Sequence, residues 1–249
     1  MNPCGKTGIR HLTDNKDCMR YNRQEILPEI GKEGQKKLGA ASVLLVGVGG
    51  LGSPIALYLA GAGIGTIGLV DDDVVSISNL QRQVLYSENE VDMKKVDCAK
   101  RRLELLNGEI RVNAYPTRLS AENARELIAQ YDIVVDGCDN FSTRFLINDV
   151  CVEQGKPYVY GAIGGFCGQV SVFNYDGKTT YRTLYPDEED IKLMPPPHKG
   201  VIGVTPAVIG SMEANEIIKI ICGFGEVLAG KLLHIDLRNC QSNIISLSK

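Results

Sequence analysis

The stretch that decides the fold runs from Ser42 to Gly52 and reads SVLLVGVGGLG. Its first five residues form a short apolar run, which is typical of a buried strand. The rest fits the G-x-G-x-x-G pattern, in which glycines permit a tight turn and a close approach of the backbone to a phosphate. Free N–H groups at the start of the next helix also favour an anion. The pattern predicts a nucleotide-binding turn, although a purely structural turn also fits. The glycines concerned are Gly47, Gly49, Gly50 and Gly52.

On either side of this turn, segments with strand character alternate with segments of helical character. The predicted strands are Ser42–Val46, Thr66–Val70, Ile110–Tyr115, Ile133–Val135, Tyr158–Tyr160, Gln169–Asn174, Leu232–Ile235 and Asn243–Leu247. The predicted helices are Pro54–Ala62, Lys94–Leu106, Ala121–Gln130, Thr143–Gln154 and Pro206–Cys222. The alternation predicts a single α/β domain of Rossmann type, with a mostly parallel sheet that antiparallel strands continue after Gly165.

The domain is predicted to occupy residues 19–249, after a flexible tail at 1–18 and with a long mobile crossover loop at 176–200. The segment Ala40–Val70 has no charged residue and is long enough for a membrane span. Its eight glycines and Pro54 favour a strand, a turn, a helix and a second strand instead. We therefore expect no membrane-spanning segment.

The composition excludes several classes of protein. Of 249 residues, 44% are hydrophobic and 23% are charged, as in ordinary globular proteins. A net charge of −3 gives no positive field for nucleic acid. The eight cysteines form no CxxC pair and are predicted to be reduced thiols, so a cytoplasmic location is expected.

Charged residues after the second predicted strand indicate which nucleotide is bound. Asp71 follows the glycines by about 20 residues, where a carboxylate can accept hydrogen bonds from ribose hydroxyls. With the glycine turn alone, Asp71 favours an NAD-dependent dehydrogenase. The acidic run Asp71–Asp73, followed by Arg82 and Lys95, favours a triphosphate with Mg²⁺, a hard cation that prefers oxygen ligands. A solvated charged loop is the alternative.

Asp139 and Asn140 follow the fourth predicted strand. In open parallel sheets, ligands bind beyond the carboxyl ends of the strands, so Asp139 is predicted to face the glycine turn. There it would bind Mg²⁺ or position phosphates. Either residue also suits the N-cap of the next helix, and the two roles are compatible.

Five motifs in one order resemble the ThiF/MoeB/HesA family, the bacterial relatives of ubiquitin-activating enzymes. They are Tyr21-Asn22-Arg23-Gln24, Gly47–Gly52, Asp71–Gln83, Lys95 and Cys138-Asp139-Asn140. The resemblance implies that ATP·Mg²⁺ binds at the glycine turn. The C-terminal glycine carboxylate of a ubiquitin-like sulfur carrier, ThiS-like or MoaD-like, would then attack the α-phosphate to give an acyl-adenylate and pyrophosphate. Sulfur from a persulfide donor would follow, for thiamine or molybdopterin biosynthesis.

The resemblance also implies a role for individual residues. Asp71 would hold the ribose, and Asp139 would bind Mg²⁺ through ATP. Arg23 would reach the phosphates of the neighbouring subunit in a homodimer. The catalytic set it implies is Arg23, Arg82, Lys95 and Asp139. The nucleotide-binding set is Gly47, Gly49, Gly50, Gly52, Asp71, Asp73, Asn79, Arg82, Gln83, Lys95, Asp139 and Asn140.

The chain departs from the family pattern at two places. Thr180-Tyr181-Arg182-Thr183 stands where many members have a zinc-binding CxxC pair, and no second pair follows, so no zinc site is expected. Pro195–Gly203 lacks the cysteine that some members use in covalent transfer, which leaves Cys167 and Cys240 as the candidates nearest in sequence. The alternatives are a non-catalytic nucleotide-binding scaffold, an NAD-dependent dehydrogenase, and an enzyme that adenylates a tRNA-bound carboxylate.

Overall fold

A computed structural model describes residues 20–177, 179–192 and 200–247. In this part of the chain, eight strands form one sheet in the order β3-β2-β1-β4-β5-β6-β7-β8. The strands are β1 (Ser42–Val46), β2 (Thr66–Val70), β3 (Arg111–Tyr115), β4 (Ile133–Asp136), β5 (Tyr158–Gly164), β6 (Cys167–Phe173), β7 (Lys231–Asp236) and β8 (Gln241–Ser246). The pairs from β3 through β5 are parallel, and those from β5 to β8 are antiparallel. The predicted α/β sheet, mostly parallel and then antiparallel, is confirmed.

Helices cover both faces of the sheet. They are α1 (Asn22–Glu25), α2 (Gly31–Ala40), α3 (Gly52–Ala62), α4 (Lys95–Leu106), α5 (Ala124–Ala129), α6 (Phe141–Gln154), α7 (Tyr181–Leu184), α8 (Glu188–Lys192) and α9 (Val204–Cys222). Alternate side chains of β1 enter two separate cores, with Val43 and Leu45 facing one and Leu44 facing the other. The first core includes residues of α3, α4 and α9, and the second includes residues of α5 and α6.

Several boundaries differ from those predicted. Helix α3 begins at Gly52, two residues before the predicted Pro54, because the glycine turn leads directly into it. Helix α6 begins at Phe141, and Asn140 caps it by accepting a hydrogen bond from the Thr143 N–H at 2.9 Å. The N-cap is thus Asn140, which leaves Asp139 outside the helix.

The segment predicted as one long loop at 176–200 contains the two short helices α7 and α8. Residues 193–199, which lie in the same segment, are outside the described residues, as is the predicted tail at 1–18. The described part of the segment therefore has more regular secondary structure than the sequence predicted.

An aromatic cluster centred on Tyr181 holds α7 against the sheet. The Tyr181 ring is fully buried and packs on Phe145 and Tyr160, with centroid distances of 5.1 and 5.4 Å. Next to it, Arg182 binds both carboxylate oxygens of Asp149 at 2.8 and 2.7 Å. Aromatic packing and an ion pair therefore hold the corner at which the family resemblance suggested zinc cysteines.

A buried carboxyl group lies between α9 and β5. Glu213 is fully buried, and neither of its carboxyl oxygens has a hydrogen-bond partner among the described residues. A Cβ built on Gly161 would lie 2.3 Å from this carboxyl group, so only glycine fits beside it. Burial raises the pKa of Glu213 well above its usual value; the nearby Asp136 carboxylate raises it further, and Arg144 opposes the shift.

We expect Tyr181→Ala to lower the free energy of unfolding by about 3–5 kcal/mol, because it empties an aromatic site in the core. Tyr181→Phe should cost less than about 1 kcal/mol, since the buried hydroxyl has no partner among the described residues. Urea unfolding of both variants measures the difference. Equal stability of the two variants would contradict a central packing role for this ring.

We expect Glu213→Gln to change how stability depends on pH. Native Glu213 keeps a proton that the unfolded chain releases above its ordinary pKa near 4.5. Stability of the wild type should therefore fall as the pH rises from that value towards the raised native pKa, by up to about 1.4 kcal/mol per pH unit. The variant should lack this component in urea unfolding between about pH 5 and 8. Glu126→Gln on the exposed face of α5 is the control. If the stability of Glu213→Gln depends on pH in the same way as that of this control, native Glu213 is not protonated.

Candidate active site

A cleft of about 880 Å³ opens at the carboxyl ends of β1, β2, β3 and β4 and continues across β5, β6 and β7. All the predicted site residues except Gly52 and Arg23 line it. Those that do are Gly47, Gly49, Gly50, Asp71, Asp73, Asn79, Arg82, Gln83, Lys95, Asp139 and Asn140. One continuous cavity thus joins the glycine turn to the antiparallel half of the sheet.

The glycine turn is held tightly against its neighbours. Gly47 has a φ of 87°, and a Cβ at this position would lie 2.6 Å from the Gly137 carbonyl oxygen. Gly52 lies behind the turn rather than in the cleft, and its Cβ would lie 2.2 Å from the Gly47 carbonyl oxygen. Gly52 therefore serves close packing, whereas Gly49 and Gly50 present the backbone to the cleft.

Three side chains fix the backbone of this turn. The Asp71 carboxylate accepts hydrogen bonds from the Val48 N–H at 2.8 Å and the Asp73 N–H at 2.9 Å. The Tyr86 hydroxyl donates to the Val48 carbonyl at 2.6 Å, and the Ser53 hydroxyl donates to the Gly49 carbonyl at 2.7 Å. The role of Tyr86 was not predicted, because 38 residues separate it from Val48 and no local pattern marks the contact. The turn is consequently rigid before any ligand arrives.

Two cations enter the cleft near the turn. Lys95 is the first residue of α4, is only 4% exposed and forms an ion pair with Asp73 at 2.8 Å. Arg82 donates a hydrogen bond to the Ser78 carbonyl at 3.1 Å, which anchors its guanidinium at the cleft wall. Both cations are thus positioned to neutralise a polyphosphate.

The cleft also contains one buried polar atom that lacks a partner and a group of carboxylates. Gln83 is 4% exposed, and its Oε1 has no hydrogen-bond partner among the described residues. One oxygen from each of Asp71, Asp72 and Asp73 can come within 4.8 Å of the others, and Asp139 is exposed on the far side of the turn. A buried polar atom without a partner is costly, so the site is suited to a polar ligand and its hard cation.

A buried ion pair forms the floor beneath Asp139. Arg144 binds Asp136 at 2.8 Å and also donates to the carbonyls of Cys138 and Gly161 at 2.9 and 3.2 Å. The Cys138 thiol donates to the other oxygen of Asp136 at 2.7 Å. Sequence reasoning missed Arg144, since one arginine inside a predicted helix carries no signal of its own. The pair ties β4, β5 and the loop that carries Asp139 into one unit.

Arg23 lies near the amino ends of the parallel strands, whereas the cleft opens at their carboxyl ends. The adjacent Gln24 donates to the Ala62 carbonyl at the end of α3, at 3.1 Å, and Tyr21 accepts from Asn107 just beyond α4 at 2.8 Å. Both helices begin at the cleft and end at this far edge, and the 11 residues of α3 span about 16 Å. Arg23 is exposed there and does not line the cleft of its own chain.

No helix in the described ranges is both long enough and apolar enough to cross a membrane. This finding agrees with the division of the uncharged segment Ala40–Val70 into β1, the turn, α3 and β2.

Several known proteins resemble the chain closely in sequence. It is 49% identical over 223 residues to a sulfur carrier protein adenylyltransferase of Thermus thermophilus, covering 87% of this chain and 82% of that protein. It is 47% identical over 219 residues to a probable molybdopterin-synthase adenylyltransferase of Porphyra purpurea, covering 86% of this chain and 56% of that one. A probable adenylyltransferase/sulfurtransferase, MoeZ of Mycobacterium tuberculosis, is 44% identical over 94% of this chain and 61% of its own length. The chain thus spans little more than half the length of some of these relatives.

Solved structures share the fold. PaaA superposes with a TM-score of 0.81 at 22% identity, covering 99% of this chain and 78% of that one. E. coli MccB, solved with ATP, superposes with a TM-score of 0.75 at 25% identity, covering 95% of this chain and 79% of that one. The ThiF family model matches residues 21–249. The chain therefore belongs to the ThiF family, as its five motifs suggested.

Proposed function

We propose that the chain is an ATP-dependent adenylyltransferase for a ubiquitin-like sulfur carrier, ThiS-like or MoaD-like. The observation that carries this proposal is the single cleft in which a rigid glycine turn, two cations and several carboxylates continue into a channel over β5 and β6. A nucleotide occupies the first part and a peptide tail the second. The names of the Thermus and Porphyra relatives support the same activity.

Each group of residues in the cleft has a separate role in the proposed reaction. The N–H groups of the glycine turn and the cations Arg82 and Lys95 hold the triphosphate and lower its repulsion of the incoming carboxylate. Asp71 holds the ribose through the carboxylate lone pairs that its two hydrogen bonds to backbone N–H groups do not use. The Gln83 amide and Asn79 complete the polar wall. No general base is needed, because a C-terminal carboxylate is already ionised at neutral pH.

Magnesium fits the donor set of the cleft. Asp139 is exposed beside the turn. Because Asn140, and not Asp139, caps α6, the Asp139 carboxylate is available to a cation. Mg²⁺ carried by ATP would supply charge neutralisation there and help orient the phosphates. The thiamine or molybdopterin pathway, a persulfide donor and a cytoplasmic setting belong to the same proposal.

A second copy of the chain completes each cleft. Arg23 lies near the far end of α3, whose 11 residues span about 16 Å, so we assign it to the cleft of a neighbouring subunit. Exposed apolar residues suited to an interface occur at both ends: Ile26 and Leu27 lie shortly after Arg23, whereas Ile202 precedes α9 and Val204 begins it. In a dimer with a two-fold axis, both subunits use the same face, and the Arg23 end of one subunit meets the cleft end of the other. Each Arg23 then lies at the partner's cleft.

We expect Arg82→Ala and Asp139→Asn each to lower carrier-dependent pyrophosphate exchange by about 100-fold or more, because each removes a charged group from the reacting phosphates. Isotope exchange between labelled pyrophosphate and ATP measures the rate. Arg125→Ala and Asp97→Asn, both at exposed positions outside the cleft, are the matched controls and should keep near-normal rates. Normal exchange in Arg82→Ala and Asp139→Asn would remove these assignments.

We expect two inactive variants to restore each other when mixed. In a mixed dimer of Arg23→Ala and Asp139→Asn, the cleft with an intact Asp139 receives the intact Arg23 of the other subunit. Random exchange of subunits makes half of the dimers mixed, with one working cleft in two, so activity should return to about a quarter of the wild-type value. No recovery after verified subunit exchange would refute a shared site.

A further inference from the structure

The hydroxyl of Tyr86 holds one particular peptide group of the glycine turn. Tyr86 is buried, and its hydroxyl donates to the Val48 carbonyl at 2.6 Å. On the other side of the same residue, the Val48 N–H donates to the Asp71 carboxylate at 2.8 Å. Both peptide groups that flank the Val48 side chain are therefore fixed, one by Asp71 and the other by Tyr86.

The hydrogen bond to Val48 also decides where the next N–H points. In a planar trans peptide, the carbonyl oxygen and the N–H of the following residue point in opposite directions. Because the Val48 carbonyl faces the buried Tyr86, the Gly49 N–H faces away from it. Gly49 lines the cleft, and its N–H donates to no acceptor in the part of the chain that the structure describes. The turn thus presents a free N–H donor to the cleft.

Glycine at position 49 leaves this orientation open to change. A glycine adopts positive and negative φ about equally well, so the Val48–Gly49 peptide can turn over without a steric penalty at Gly49. A Cβ built on Gly49 would meet only the Gln83 side-chain nitrogen, at 3.5 Å, so packing does not hold the backbone there. In the turned-over state, the Val48 carbonyl would point into the cleft. A group outside the turn must therefore select the orientation, and among the described side chains only Tyr86 binds this peptide.

Tyr86 also connects the turn to the loop that carries Arg82. The Tyr86 N–H donates to the Gln83 carbonyl at 3.2 Å, so Tyr86 and Arg82 belong to one run of turns. Among the described residues, the Tyr86 hydroxyl makes the one hydrogen bond between residues 77–91 and the glycine turn. The unpartnered Oε1 of Gln83 lies at the same junction, where it indicates a polar ligand.

We propose that Tyr86 is a positioning residue for a polyphosphate: its hydroxyl keeps the Gly49 N–H directed into the cleft, where this N–H binds a phosphate oxygen of ATP. Tyr86 does not line the cleft and acts only through the backbone of the turn. The inference rests on the proposed function for the identity of the ligand, and it adds a group that sets the affinity for that ligand.

Removal of the hydroxyl should reverse the polarity of this part of the turn. The Val48 carbonyl would then be buried without a partner, which is costly. The peptide would turn towards the water of the cleft and set a carbonyl oxygen against the phosphates in place of an N–H. The wild-type donor does not depend on pH near neutrality, because burial raises the pKa of Tyr86 and the Asp71 carboxylate raises it further.

The test compares the wild type with Tyr86→Phe, which removes only the hydroxyl. Calorimetry on the full chain with ATP and Mg²⁺ should give a Kd about tenfold higher for the variant, which corresponds to 1.4 kcal/mol. The Kd for adenosine, which has no phosphate, should stay within about twofold. In pyrophosphate exchange, the KM for ATP should rise by a similar factor while kcat stays within about twofold, because a contact made equally with bound substrate and transition state affects KM alone.

Tyr131→Phe is the matched control. Tyr131 is also a buried tyrosine, its hydroxyl is hydrogen-bonded to that of Tyr115 at 2.9 Å, and it does not line the cleft. This variant should keep the wild-type Kd for ATP and for adenosine. A loss of stability alone would lower the fraction of active protein, which reduces kcat and leaves KM unchanged.

The proposal is overturned if Tyr86→Phe binds ATP as tightly as the wild type, if its affinity for adenosine falls as far as its affinity for ATP, or if kcat alone falls. A wild type that binds ATP but shows no exchange with any carrier would count against the proposed function instead. The comparison of ATP with adenosine would still judge the role of Tyr86, since it needs no carrier.

Discussion

The hydrogen bonds that the Asp71 carboxylate accepts from the Val48 and Asp73 N–H groups hold the candidate site together. Asp71 follows β2, and Val48 belongs to the turn after β1, so one side chain fixes the relative position of two loops. Because Asp73 in turn pairs with Lys95, the same carboxylate also controls where the buried ammonium lies. The half of the cleft that we propose binds the phosphates is thereby organised by contacts within the protein, and little reorganisation is left for the ligand to induce.

The Asp136–Arg144 pair does the same for the other half of the cleft. Its charges are almost fully buried, and such a pair is stable only when additional hydrogen bonds satisfy both groups. Here the Cys138 and Gly161 carbonyls accept from Arg144, while the Cys138 thiol and the Tyr158 hydroxyl donate to Asp136. The network joins β4 to β5 at the point where the sheet changes from parallel to antiparallel. That change is also where the part of the cleft proposed for the nucleotide meets the part proposed for the peptide tail.

The sequence allowed the fold and most of the cleft to be predicted because both depend on local patterns. The run Ser42–Val46, the glycines after it and Asp71 are short-range signals with a direct physical meaning. Tyr86, Arg144 and Glu213 depend instead on contacts between distant segments, and nothing near them in sequence indicates those contacts. The two short helices α7 and α8 were missed for a related reason, since α7 is held by a tertiary aromatic cluster rather than by helical periodicity.

The position of Arg23 bears on the proposed dimer, because this exposed side chain does not line the cleft of its own chain. Its neighbours Tyr21 and Gln24 are tied to the ends of α4 and α3, so the segment cannot swing to its own cleft without breaking those contacts. In the proposed dimer, the cation that Arg23 contributes to the phosphates therefore comes from a second molecule. This arrangement would make the activity depend on association, because a monomer that folds correctly would still present a polyphosphate site with one positive charge too few.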